Sequence, residues 1–286
     1  MVKALFILFF TFTTIFANDT MLDTTNSFSY EDQLTKKIKS FLSYNRYERN
    51  KKFINIIFSP KSDFYKNDKV DVVKVVQTLK ENGLLKLFFN NPKELKLHFK
   101  TFGPPLFFVK LMRESLRNIG YYRYITTDSS FTGLEFTWSV SLTSEYATDP
   151  LILQQELKKV GCTIVDIEQI SSTEWSYVID MIDGFLNVPV LEVSEELKLK
   201  RSLYSHWLNV SQIKKLVILS SRRNNWYPYI SYYDSSLKLI EVIKRDKRIK
   251  KITLNLPEFT KYIKISDIYT LKNLKDELTL YPKVKR

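Results

Sequence analysis

Between residues 70 and 180 the apolar positions switch repeatedly between a spacing of three to four and a spacing of two. Val72, Val73, Val76 and Leu79 mark one side of a helix over 70–82, ended by Gly83. Strands are predicted at 84–89 and 95–101, joined by an Asn90-Asn91-Pro92 turn. In the second strand Leu95, Leu97 and Phe99 face one way while Lys96, His98 and Lys100 face the other, as a sheet covered on one side requires. A helix over 107–119, ended by Gly120, precedes strands at 121–127 and 134–142. The third helix, over 151–160, has Asp149 as its cap and Pro150 in its first turn, and Gly161 ends it before strands at 163–170 and 175–180.

Each unit thus runs helix, glycine, strand, polar loop, strand, and the stop glycines are 37 and 41 residues apart. A helix often ends on a left-handed residue, which glycine adopts without a steric penalty. A recurrent ending at a spacing near 40 residues predicts tandem α/β modules. Taken as overlapping units, 95–170 spells βαββαβ, the ferredoxin-like order with helices on one face of an antiparallel sheet. Upstream, Leu34, Ile38, Phe41 and Leu42 predict a helix over 30–46 capped by Ser29, and Phe53–Phe58 reads as a buried strand.

Past Asp183-Gly184 the helical period disappears. Short β-rich runs follow at 190–193, 203–210, 215–220, 227–233, 237–243, 249–256, 262–266 and 278–281, separated by polar turns. So many short strands in under 100 residues predict a β-sandwich. The expected fold is therefore α+β, with tandem helix-strand-strand modules followed by an all-β sandwich. The divisions are a signal peptide at 1–17, a polar segment and helix at 18–52, the α/β modules at 53–185 and a basic sandwich at 188–286.

The leader rests on Lys3 followed by an uncharged, mainly apolar run from Ala4 to Phe16, with Ala17 as the cleavage residue. The run is shorter than the about 20 residues that span a bilayer, and no later segment is more apolar, so no transmembrane segment is expected after cleavage. Cys162 is the single cysteine, so no internal disulfide forms. Export without disulfides points to a bacterial periplasm and the cell envelope.

Charge divides the chain as the periodicity does. Residues 190–286 hold 21 Lys and Arg against 10 Asp and Glu, and residues 1–189 hold 23 against 21. Lys244, Arg245, Lys247, Arg248, Lys250 and Lys251 stand within eight residues, and Arg222 and Arg223 form a second basic pair just before Trp226, Tyr227 and Tyr229. If the two clusters meet, they attract an acidic protein or an anionic envelope surface. The aromatics offer stacking planes for peptidoglycan or another glycan, or anchors for a protein interface. Nucleic acid suits the charge but not the address.

Catalytic patterns are sparse. His98 lies between two lysines, and His206 follows Ser205 directly, a spacing that turns the two side chains to opposite faces of a strand. Asp166, Glu168, Glu174 and Asp180 offer carboxylates on one hairpin, the minimum for glycan hydrolysis. No GxGxxG or GxxxxGK[ST] stretch occurs, and no His/Cys spacing suits zinc. Neither cofactor nor metal is expected. At fold level, α/β modules in series before a sandwich resemble accessory proteins of trans-envelope machines, and similar βαββαβ units occur in peptidoglycan-binding domains. The expectation is a non-enzymatic periplasmic interaction or scaffold protein. A glycan-binding protein and an undetected hydrolase stand as alternatives.

Overall fold

The computed structural model describes residues 32–284 apart from residue 194; the expected leader, the polar stretch to residue 31 and the Ser29 cap lie outside the described residues. Helix α1 (Gln33–Ser40) buries Leu34 and Ile38. The chain breaks at Phe41-Leu42 because Ser43 starts a new helix, α2 (Tyr44–Ile57), its side chain accepting from Arg46 N at 3.4 Å. The single helix expected over 30–46 is therefore two. The strand expected at 53–58 is instead the end of α2, with Ile54 and Phe58 buried four residues apart and Ile56 between them 71% exposed. A six-residue apolar run fits either period, and the helix-forming stretch before it decides the outcome.

Strands β1 (Tyr65–Lys66) and β2 (Lys69–Val70) form a small hairpin before α3 (Val72–Glu81), which Asp71 caps by accepting from Lys74 N at 3.0 Å. One long strand follows, β3 (Phe88–Thr101), where two were expected. The Asn-Asn-Pro stretch makes an irregularity between Phe88 and Lys93 instead of a turn. Next come α4 (Pro105–Asn118), β4 (Ile125–Thr132), β5 (Glu135–Tyr146), α5 (Pro150–Lys158), β6 (Thr163–Ser171) and β7 (Glu174–Asp180). Asp149 caps α5 as expected, accepting from Leu151 N at 2.9 Å.

These strands make one five-stranded sheet in the order β4-β5-β3-β7-β6, with only β3 and β7 parallel. The three helix-strand-strand stretches therefore merge into a single sheet and are not separate repeated modules. The βαββαβ order is present from β3 to β6, but β7 lies between those two strands, where the ferredoxin-like arrangement would pair them directly. Leu95, Leu97 and Phe99 are fully buried, and Trp175 beside them stacks on Phe41 at 6.3 Å between ring centres. Each side chain of this kind contributes roughly 1.5–3 kcal/mol when buried. Lys96, His98 and Lys100 take the opposite face, as the alternation requires.

The basic third holds β8 (Leu197–Leu199), β9 (His206–Asn209), β10 (Ile213–Ser220), β11 (Pro228–Tyr233), β12 (Leu239–Lys244), β13 (Lys251–Asn255), β14 (Tyr262–Asp267) and β15 (Leu278–Val284). They form two antiparallel sheets, β13-β10-β15-β8 and β12-β11-β14-β9. Leu216, Ile218 and Leu280 of one sheet share a core with Ile230, Tyr232 and Ile265 of the other. The run at 190–193 makes only a parallel bridge from Val190 to Asn209, and β8 lies outside every predicted run. Among the described residues, no helix is long and apolar enough to cross a membrane.

Candidate functional site

Three connections between the two C-terminal sheets gather at one end of them. Residues 221–227 lead from β10 to β11, residues 245–250 from β12 to β13, and residues 268–277 from β14 to β15. Each leaves one sheet for the other, so their backbone groups fall outside both ladders and need partners elsewhere. Two buried polar side chains supply several of them. Asn224, 1% exposed, accepts from Asp276 N at 2.7 Å and donates to Glu277 O at 3.0 Å. Asp267 accepts from Tyr227 N at 2.8 Å, Tyr269 N at 2.9 Å, Thr270 N at 3.0 Å and Asn273 Nδ2 at 3.0 Å.

Arg248 joins the two basic clusters. Its Nη2 donates to Arg222 O at 2.9 Å and its Nε to Asn224 O at 3.0 Å. Ile249 N donates to Trp226 O at 2.9 Å alongside. With its guanidinium spent on carbonyls, Arg248 holds the site together. Arg222, Arg245, Lys247, Lys250 and Lys251 are exposed with no acidic partner among the described residues. Arg223 reaches Asp276 at 3.9 Å, a loose surface pair. The Asp276 carboxyl is lowered by hydrogen bonds from Ser221 and the Glu277 backbone, with Arg223 adding a smaller pull.

The aromatics divide. Trp226 is completely buried and its Nε1 donates to Ser266 O at 2.9 Å, so it is a core residue and offers no stacking plane. Tyr227 is half-buried and meets Tyr269 edge-to-face at 5.1 Å. Tyr229 is half-buried with Lys244 Nζ 5.1 Å above its ring. Tyr269, 60% exposed, donates its hydroxyl to Asp246, the one acid in the basic run; that bond pushes the phenol's pKa up. Asn224, Asp267 and Tyr269 carry no sequence signal, because their roles depend on loops far apart in the chain.

The open face of the five-stranded sheet comes nearest to a catalytic arrangement. Ser139 Oγ lies 2.8 Å from His98 Nδ1, and His98 Nε2 lies 3.0 Å from Glu174 Oε1. A hydrolytic relay needs an approachable nucleophile and free donors for the oxyanion. Ser139 is only 3% exposed, and its strand is paired on both sides. The hydroxyl and imidazole instead satisfy one another across β5, β3 and β7. The hairpin acids do not pair either: Asp166 meets Lys37 at 2.5 Å and Glu174 is held by His98. Among the described residues, no cluster of His, Cys, Asp and Glu is placed to hold a metal ion. Burial lowers the proton affinity of His206, whose nearest strand partner is Ile265.

A second concavity, about 1660 Å³, lies between α4, the 121–124 connection and the β4–β5 hairpin. Exposed Leu106, Tyr122, Ile125 and Phe131 rim it together with Arg113, Arg117 and Arg123. No pattern in the sequence marks it, since its lining comes from four separate stretches.

No family model matches this chain, and neither a curated protein nor a solved structure does.

Proposed function

We propose that the chain is an exported, non-enzymatic interaction protein of the bacterial envelope, whose basic β-sandwich docks an acidic partner protein. One observation carries this reading: Arg248 binds the 222–225 and 245–250 loops into a single surface. The cations at Arg222, Lys247, Lys250 and Lys251 then lie at one end, with no acidic partner among the described residues. Fixed, unpaired charge on a preorganised surface favours fast, oriented association with a complementary partner. Buried Trp226 weakens the glycan alternative, because the strongest stacking residue of the region is spent in the core. The address is carried by the leader, 1–17.

The test is photo-crosslinking in the living cell from position 247 or 250, with identification of what is captured. An acidic envelope protein is expected, lost when Lys247, Lys250 and Lys251 are together changed to Glu and weakened by salt in vitro. Retention on purified cell wall that resists salt and disappears with Tyr269→Ala would replace this reading with glycan binding. N-terminal sequencing of the cellular protein is expected to begin at Asn18; a chain starting at Met1 in the cytosol would overturn the envelope assignment.

A further inference from the structure

The two edges of the five-stranded sheet are treated differently. At one edge β6 is interrupted by two irregularities, and Lys37 Nζ donates to Ile167 O at 3.1 Å. Such devices blunt an edge against a further strand. At the other edge β4 pairs, among the described residues, with β5 alone, with one irregularity between Thr126 and Asp128 and regular register from Asp128 to Thr132. Seven of its eight residues are exposed, Asp128 is its one charge, and it contains no proline. A strand of this kind presents a bare row of backbone donors and acceptors.

Beside that edge the helical layer ends. Phe108 of α4 packs edge-to-face on Phe136 of β5, but among the described residues no ring of α4 packs on β4 in this way. Leu106 is 73% exposed, Tyr122 75%, Ile125 72% and Phe131 62%. Cations outnumber acids in the cleft, with Lys110, Arg113, Arg117 and Arg123 against Glu94 and Glu114. Lys110 is paired with Glu114, and Glu94 accepts from Ser141 Oγ at 2.7 Å. Arg113, Arg117 and Arg123 are exposed and have no acidic partner among the described residues.

We infer that this cleft is a second binding site, which takes an extended acidic segment of a partner protein as a sixth strand beside β4. The bare edge supplies main-chain hydrogen bonds. Alternate side chains of the added strand enter the cleft, where apolar ones cover Leu106 and Phe131 and carboxylates meet the arginines. A second copy of this chain fits less well, because β4 against β4 would bring two sets of arginines together.

The test is fluorescence anisotropy with a labelled peptide carrying Val or Ile and Glu by turns at every second position, with Thr between them so that both kinds share one face, titrated with the full chain and followed by hydrogen exchange on the complex. Saturable, salt-sensitive binding is expected, with exchange slowed over 125–132. The variant carrying Arg113→Glu and Arg117→Glu should bind roughly tenfold more weakly or worse. Both residues are exposed, so an unchanged circular dichroism spectrum will separate lost binding from lost folding. Changing Lys247, Lys250 and Lys251 to Glu should leave this affinity unaltered, so the site and the basic end fail independently. Three results overturn the inference: slowed exchange confined to 222–251, a peptide-free dimer protected over 125–132, or no saturable binding at about 1 mM.

Discussion

Cys162 follows the glycine that ends α5 and is 1% exposed. Burial, with a smaller contribution from Asp180, pushes its thiol up to about 11. The native thiol should therefore resist disulfide exchange reagents at neutral pH and react only on unfolding. Its titration also sets a stability slope. An unfolded chain loses this proton near the ordinary value of 9.0, while the folded chain keeps it to about 11, so stability falls as pH rises between those values. Denaturation midpoints of the native protein and Cys162→Ala, compared across that window, should show a shallower decline in the variant. Tyr232 is the opposite case, a buried hydroxyl without a hydrogen-bond partner among the described residues. An unsatisfied buried polar group costs about 1–3 kcal/mol, so Tyr232→Phe should raise the urea midpoint or leave it unchanged. A drop of similar size would show that the hydroxyl is paired in solution.

Helix endings separate two glycines that look equivalent in sequence. Gly83 and Gly161 both have positive φ, 71° and 73°, which costs another residue about 1–2 kcal/mol. At Gly83 an added Cβ meets nothing within 4 Å, whereas at Gly161 it would lie 2.1 Å from the Asp183 carbonyl oxygen. Gly83→Ala should lose only the conformational term. Gly161→Ala should lose considerably more, because the chain entering the C-terminal sheets must also move; chemical denaturation of the two variants side by side checks this. The same contrast explains what could be read at this scale. Helix α3 announces itself through its apolar stripe, α5 through its cap at Asp149, and all three of α3, α4 and α5 through stop glycines, all of which are local. The strand expected at 53–58 and the turn expected at 90–92 do not form, because a short apolar run, or a proline at an irregularity, has the same local appearance in two different structures.

Across the whole molecule, Tyr262 links the two apolar cores. It lies on a strand of the C-terminal sheets, yet it is fully buried in the core of the five-stranded sheet, and its hydroxyl accepts from Leu186 N at 3.2 Å. Leu237 is buried in the same core, and Trp207 packs against it with Lys110 Nζ of α4 5.6 Å from the ring. Tyr262→Phe strands the Leu186 N–H and should cost about 1–3 kcal/mol. Because the bond ties β14 of the C-terminal sheets to residue 186 within the core of the five-stranded sheet, hydrogen exchange should quicken around 186 as well as in β14. An effect confined to β14 would mean that the two cores are not coupled through this residue.

Some properties of this protein follow from neighbouring residues alone: the alternation that sends Leu95, Leu97 and Phe99 inward, the cap at Asp149, the β-rich and basic last third. Each depends on interactions within a turn or a strand, which a short window contains. Tertiary structure decided the rest. Sheet order placed β7 beside β3, left β4 bare, buried Trp226 and brought Arg248 onto the carbonyls of Arg222 and Asn224. Those outcomes depend on which distant segments meet, and the free energy that selects among the pairings is summed over the whole core and written at no single position.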